Sequence, residues 1–158
     1  MSDSSTLDTK HLSAQDLASR ASQAMHANDA SAEALGIEIL QVHPGRASVA
    51  FTVQPHMLNG HDICHGGYIF LLADSAMAHA SNSHNRNAVA SAAGIDWLRP
   101  AKRGARRVAR AEEQTLSGRT GIYDVRITND GDELIAIFRG KTRQIKGELV
   151  DNLEIGDD

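Results

Sequence analysis

Two rhythms of apolar residues run along this chain. The first part reads as helix. Ser13 followed three residues later by Asp16 is a capping start, and Leu17, Ala21, Ala24 and Met25 then fall near one helical face. Ser31 restarts a short turn before Leu35-Gly36. A period of two takes over at Ile37. Residues 37–42 read as a strand, His43-Pro44-Gly45 as a turn, and 46–53 as a second strand with Ala47, Val49, Phe51 and Val53 on one face, so the pair predicts a hairpin. After a polar break at 84–87, residues 88–98 alternate through Val89, Ala93, Ile95 and Trp97 and end at Arg99-Pro100. Residues 105–116 make a poorer strand, broken by Arg106, Arg107, Arg110, Glu112 and Glu113. Ser117-Gly118 turns the chain into 120–128, where Tyr123, Val125 and Ile127 share a face. Asn129-Asp130-Gly131 is the strongest hairpin signal, and 134–145 is the last long strand.

One segment fits neither rhythm. From Gly67 to Ala80 apolar residues occupy every side, and the segment is too long for a typical strand. A helix apolar all round is a buried helix. Its first charged residue is Asp74, and ionised carboxylates are rarely buried without a partner. Helix, hairpin, buried helix and then four strands joined by short turns predict an α+β domain, with one antiparallel sheet against one central helix. The far side of that helix needs a cover, and a second copy of the chain is the obvious one.

Composition narrows the class. A length of 158 residues suits one domain, here 13–146, between a Ser/Asp/Thr-rich disordered N-terminus (1–12) and an acidic C-terminal tail (147–158). A net charge of −4 and 4% aromatics argue against a nucleic-acid partner. No apolar run reaches membrane-spanning length, and the N-terminus lacks a signal pattern. The single cysteine, Cys64, rules out an internal disulfide framework. A soluble cytoplasmic protein without cofactor is the expectation.

The candidate chemistry gathers where the loop Asn59-Gly60-His61-Asp62-Ile63-Cys64-His65 enters the buried helix. Gly66-Gly67 leaves backbone N–H groups without intrahelical partners and without a side chain to block approach, at the positive end of the helix dipole. A plain loop glycine pair is the bland alternative. Asp74 can serve as nucleophile or as base for water; a structural aspartate is its bland alternative. Gly67 and Asp74 are seven positions apart, roughly 10 Å at about 1.5 Å per residue. One carbonyl cannot touch both in a single chain. If both act on it, two helices must run oppositely across a two-fold axis, giving two shared sites per dimer. A carboxylate with an oxyanion site suits thioester hydrolysis, since a thiolate with a conjugate-acid pKa of about 8.5 leaves without much acid help.

Asn59-Gly60-His61, His65-Gly66-Gly67 and Leu72-Ala73-Asp74-Ser75 together resemble the phenylacetic acid degradation (PaaI-type) thioesterases of the hotdog-fold superfamily, over about residues 22–143. The resemblance implies a curved antiparallel sheet wrapped around the central helix, with joined-sheet dimers paired into tetramers. It implies hydrolysis of aryl-acyl-CoA thioesters such as phenylacetyl-CoA and hydroxyphenylacetyl-CoA. It makes Asp74 the catalytic carboxylate and Gly66 the backbone donor to the thioester oxygen. Asn59 and His65 orient substrate or water, and Gly67 and Ser75 lie at the substrate. Relatives often carry Thr or Ser one turn after the carboxylate. Here that place is Ala78, which leaves Ser75 as the nearby hydroxyl.

A basic run, Arg99, Lys102, Arg103, Arg106, Arg107 and Arg110, reads either as a solvated edge strand or as a site for the phosphates of coenzyme A, with Arg103 and Arg106 as contacts. The histidines His56, His61 and His65 with Asp62 match no standard zinc spacing, so no metal is expected. Cys64 as a nucleophile is disfavoured, because adjacent residues point apart. Trp97 and Tyr68 read as core, interface or the wall of an aromatic acyl pocket. Two rival functions stand beside the thioesterase: a hotdog hydratase or dehydratase using His65 with Asp74, and a non-catalytic acyl-CoA sensor. The latter lacks the basic recognition helix that such a sensor would carry in its first thirty residues.

Overall fold

The computed structural model describes residues 12–151; residues 1–11 and 152–158, where the sequence predicts loose ends, lie outside the described residues. Ten elements follow in order: α1 (Ala14–Ala27), α2 (Ala30–Leu35), β1 (Glu38–His43), β2 (Arg46–Thr52), a 3-10 turn (Pro55–Met57), α3 (Gly66–Ser81), β3 (Ala88–Trp97), β4 (Arg106–Ser117), β5 (Thr120–Thr128) and β6 (Leu134–Gln144). The capping box of Ser13 and Asp16 starts α1. Asp29 caps α2, which ends at Gly36 in the left-handed conformation that glycine adopts freely.

The six strands form one antiparallel sheet in the order β1-β2-β4-β5-β6-β3. Register shifts in the pairings β1·β2, β3·β6, β4·β5 and β5·β6 bend and twist the ladder, so the sheet curls around α3. The core fills the space between them. Val49, Phe51, Ala109, Val125, Ile127 and Phe138 from the sheet, with Val53 just after β2, meet Ile69, Leu72, Ala73, Ala76 and Met77 from α3. This is the expected α+β arrangement of one long helix in a curved sheet, with the N-terminal helix packed beside it.

The expected hairpin at 129–133 forms, with Asp132 in the left-handed region; Asn129 Oδ1 accepts from the N–H of both Gly131 and Glu133 and sets a longer loop. Two details differ from the sequence reading. The chain beyond Gly147 is held through Val150: Asn85 exchanges two hydrogen bonds with Val150, and Asn87 N–H donates to the Gly147 carbonyl. The basic run is not an edge strand. Arg106, Arg107 and Arg110 stand on β4, between β2 and β5, while Arg99, Lys102 and Arg103 lie in the connection before it. β4 tolerates its charges because Arg106, Arg110 and Glu112 face the outer, solvated side. There Arg46 pairs with Glu112 at 3.1 Å and Arg106 with Glu38 at 3.0 Å.

The sheet's edges are β1 and β3, and β3 is the longer of the two. Its ten residues are mostly exposed, with Val89 at 48% and Trp97 at 55%. A long apolar edge strand with an open row of backbone donors and acceptors is a pairing surface.

Candidate active site

The site begins with a closed loop. Asn59 N–H donates to the Ile63 carbonyl at 2.8 Å, and Asn59 Oδ1 accepts from the N–H of His61 (2.9 Å) and Ile63 (3.4 Å). The side-chain carbonyl of Asn59 therefore builds the loop, which leaves its amide Nδ2 as the group that can act outward. Cys64 and His65 then fasten the loop to the body, their N–H groups donating to Ala101 O (2.7 Å) and Met57 O (2.8 Å). The Cys64 thiol is buried, and burial pushes it up to about 11, so it is a protonated core residue and not a nucleophile.

His65 is the N-cap of α3. Its Nδ1 accepts from the Gly67 N–H at 3.2 Å, which places the ring proton of the neutral imidazole on Nε2. The cap divides the work of the two glycines. The Gly67 N–H is occupied within the chain, whereas among the described residues no hydrogen bond engages the Gly66 N–H. Gly66, half-buried at the first turn of the helix, is the backbone donor that remains available.

Trp97, 31 residues away on β3, closes over this turn. Its indole Nε1–H donates to the Gly66 carbonyl at 3.1 Å. A Cβ at position 66 would stand 2.9 Å from the ring's Cε2 and 3.0 Å from Cζ2 and Nε1, so the ring occupies the space that only glycine leaves open. Nothing in the order of residues signals this contact. It comes from the sheet folding its edge strand against the helix start.

Further along, α3 carries its one acid. Gly67, Leu71, Asp74, Ser75 and Ala78 fall on one stripe that the fold leaves exposed or half-buried, while Leu72, Ala73, Ala76 and Met77 are buried against the sheet. Asp74 is half-buried, and the loss of water around it raises its pKa above the ordinary carboxylate value, with no hydrogen bond or cation to oppose the shift. Ser75 lies beside it on the same stripe. Within one chain Asp74 is two turns beyond Gly66, so the structure gathers Asn59, His65, Gly66 and Gly67 at one end of the stripe and Asp74 and Ser75 at the middle.

The predicted phosphate contacts separate. Arg106 is tied to Glu38 (3.0 Å) and lies 3.9 Å from Asp130, Arg110 donates to Thr128 Oγ1 (2.9 Å), and Arg99 donates to the Leu134 carbonyl (2.7 Å). Arg103 sits exposed in the turn before β4, next to exposed Lys102, with no ion pair among the described residues. Arg107 turns inward, opposite Phe51, and is only 7% exposed; it donates to the Arg106 carbonyl at 2.9 Å, and burial lowers its pKa. Among the described residues no grouping of three or more His, Cys, Asp or Glu could hold a metal ion, and no helix is long and apolar enough to cross a membrane.

Residues 61–136, which cover most of the site loop, α3, β3, β4, β5 and the start of β6, match the thioesterase superfamily. The chain is 48% identical over 126 residues to the acyl-coenzyme A thioesterase PaaI of Escherichia coli strain K12, covering 80% of this chain and 90% of that protein. The solved structure of the E. coli PaaI protein from the phenylacetic acid degradation operon superimposes with a TM-score of 0.84 at 46% identity, covering 86% of this chain and 99% of that one. A Streptococcus mutans protein solved bound to acetyl CoA superimposes at 0.67, with 25% identity over 71% of this chain and 90% of that one. With a curved sheet around a central helix, a capped glycine pair at that helix's start and this degree of identity, the chain belongs to the PaaI-type thioesterases of the hotdog-fold superfamily.

Proposed function

We propose that this protein hydrolyses aryl-acyl-CoA thioesters of the phenylacetyl and hydroxyphenylacetyl class, releasing the free acid and coenzyme A as a step of phenylacetate degradation. The observation that carries the reading is the division of labour on α3. One unoccupied backbone N–H at Gly66 and one unpaired carboxylate at Asp74 sit on a helix whose uncovered stripe joins them. The likeness to an acyl-CoA thioesterase supports the substrate class.

The reaction needs a negative charge held on the carbonyl oxygen and an oxygen nucleophile on the carbonyl carbon. The Gly66 N–H supplies the first. Asp74 supplies the second, either by attack or by taking a proton from water; both require its ionised form. The C–S bond then breaks and the thiolate of coenzyme A departs. Asn59 Nδ2 and His65 Nε2 orient the thioester or the water, and Ser75 offers the only hydroxyl beside the carboxylate on that stripe.

The two halves come from different subunits. The stripe of α3 and the open edge of β3 are the faces that a two-fold dimer covers, with Gly66 of one protomer meeting Asp74 of the partner subunit. Such dimers pair into tetramers. A panel of aromatic and aliphatic CoA thioesters, assayed for free CoA in wild type and Asp74→Asn, tests the reading. Turnover is expected to be highest on aryl-acetyl thioesters and to fall by at least ~100-fold in the variant, with binding retained. Hydration of an enoyl-CoA without CoA release would instead favour the hydratase reading.

A further inference from the structure

The peptide between Gly66 and Gly67 is held at both ends. Its carbonyl oxygen accepts from Trp97 Nε1 at 3.1 Å, and its N–H donates to His65 Nδ1 at 3.2 Å. A peptide unit is planar and rigid, so one bond at each end fixes its rotation about the helix start. The next unit back, between His65 and Gly66, hangs from the same Cα and carries the unoccupied N–H. Glycine is the residue whose backbone angles are least restricted by sterics. The carbonyl of that unit, His65 O, accepts from the Tyr68 N–H at 3.0 Å, so the helix start sets the general direction of the N–H and the Trp97 bond fixes it further from outside the helix.

Trp97 stands on the β3 edge that the proposed dimer covers, and its one polar atom is committed to a backbone carbonyl of a helix that it reaches from that edge. The ring fills the position of the absent Cβ at Gly66, at 2.9–3.0 Å. We infer that Trp97 is a positioning residue for the oxyanion site: with His65 it clamps the Gly66–Gly67 peptide so that the Gly66 N–H points at the reacting carbonyl. The inference rests on the reading of Gly66 as the oxyanion donor. A donor already aimed costs nothing to reorganise when charge develops, which is why a fixed amide is worth more than a mobile one.

Trp97→Phe keeps an aromatic side chain but removes the indole N–H together with its five-membered ring, so the carbonyl-band measurement below separates the lost donor from the lost packing. On phenylacetyl-CoA it is expected to lower kcat ~10-fold, with KM within about twofold of wild type and an unchanged melting temperature. The second measurement is the carbonyl stretch of phenylacetyl-CoA bound to Asp74→Asn, where turnover is blocked. The bound band is expected below its free position, and adding Trp97→Phe should move it back toward that position. Wild-type kcat in Trp97→Phe, beside an inactive Asp74→Asn, overturns the positioning role alone. A reduced kcat with an unmoved carbonyl band overturns it too, since loss of packing lowers rate without weakening the oxyanion bond. Turnover by Asp74→Asn brings down the shared-site reading and the positioning role with it.

Discussion

Ser22 Oγ on α1 lies 2.8 Å from His79 Nδ1 on α3, and both residues are buried. This bond joins the N-terminal helix to the central one. The other ring nitrogen of His79 and Nδ1 of His26 are buried without hydrogen-bond partners among the described residues, and the two rings stand 6.1 Å apart. Burial, then repulsion from His26, depress His79 from its ordinary 6.5 to about 4, with Asp29 opposing. The folded state thus keeps His79 neutral while the unfolded chain protonates it. Stability from this residue is full above pH 6.5 and is lost as pH falls toward 4, by up to about 3 kcal/mol. Thermal melts between pH 7.5 and pH 4.5 should show a steep acid loss in wild type and a shallower one in His79→Gln. Parallel curves would show that His79 is not the group responsible.

Asp74 shifts the other way. Its folded pKa is raised by burial, so folding favours the protonated form and stability from this residue falls as pH rises through that value. The proposed mechanism needs the ionised form. The acid limb of kcat/KM is therefore expected at a higher pH than an exposed aspartate would give, and Asp74→Asn should melt at or above the wild-type temperature at neutral pH while losing turnover. A catalytic acid held at a cost to stability behaves this way; a structural one does not. A variant both inactive and markedly less stable would mark Asp74 as a structural residue.

A shared site has a complementation signature. Asp74→Asn spoils one half of each site, and Gly66→Val spoils the other by driving a side chain into the Trp97 ring. Each variant alone should be inactive. Co-expressed, they form mixed dimers in which one site carries both defects and its twin carries neither, so the mixture is expected to recover about one quarter of wild-type activity. No recovery, with mixed dimers demonstrated by mass, would show that each site is built within one chain.

The sequence carried the parts of this molecule that depend on local pattern. The capping box at Ser13, the alternation of β2 and β5, and the all-apolar α3 are each decided by residues a few positions apart, and each appears where its period puts it. What escaped was long-range. β4 looked like an edge because its charges interrupt the apolar rhythm, but a strand whose outer face is solvated can carry ion pairs and still be central. The inward turn of Arg107 needs the β2·β4 register, which no local pattern supplies. Trp97 on Gly66 and Ser22 on His79 join residues 31 and 57 positions apart, and only the closed fold brings them together. His65 is legible in the sequence as a candidate site residue, but its service as a helix cap, which decides that Gly66 and not Gly67 keeps a vacant N–H, requires the ring geometry.

That same long-range pairing separates the two arginines read together as phosphate contacts. Arg106 already faces Glu38 at 3.0 Å and Asp130 at 3.9 Å, and the Glu38 bond raises its pKa further. A phosphate reaching it must compete with carboxylates in place. Arg103 sits exposed in the 101–105 turn beside Lys102, with no ion pair among the described residues. A pyrophosphate gains most from cations that are not already neutralised, and exposed pairs of this kind are worth only about 1 kcal/mol. Arg103→Ala is therefore expected to raise KM for a full CoA thioester by about fivefold at low salt, and Arg106→Ala by less than about twofold. On the matching N-acetylcysteamine thioester, which lacks the nucleotide, both variants should behave as wild type. Equal losses for Arg103→Ala on the two substrates would remove the phosphate role, and a larger KM effect from Arg106→Ala would mean that its ion pairs open to admit the nucleotide.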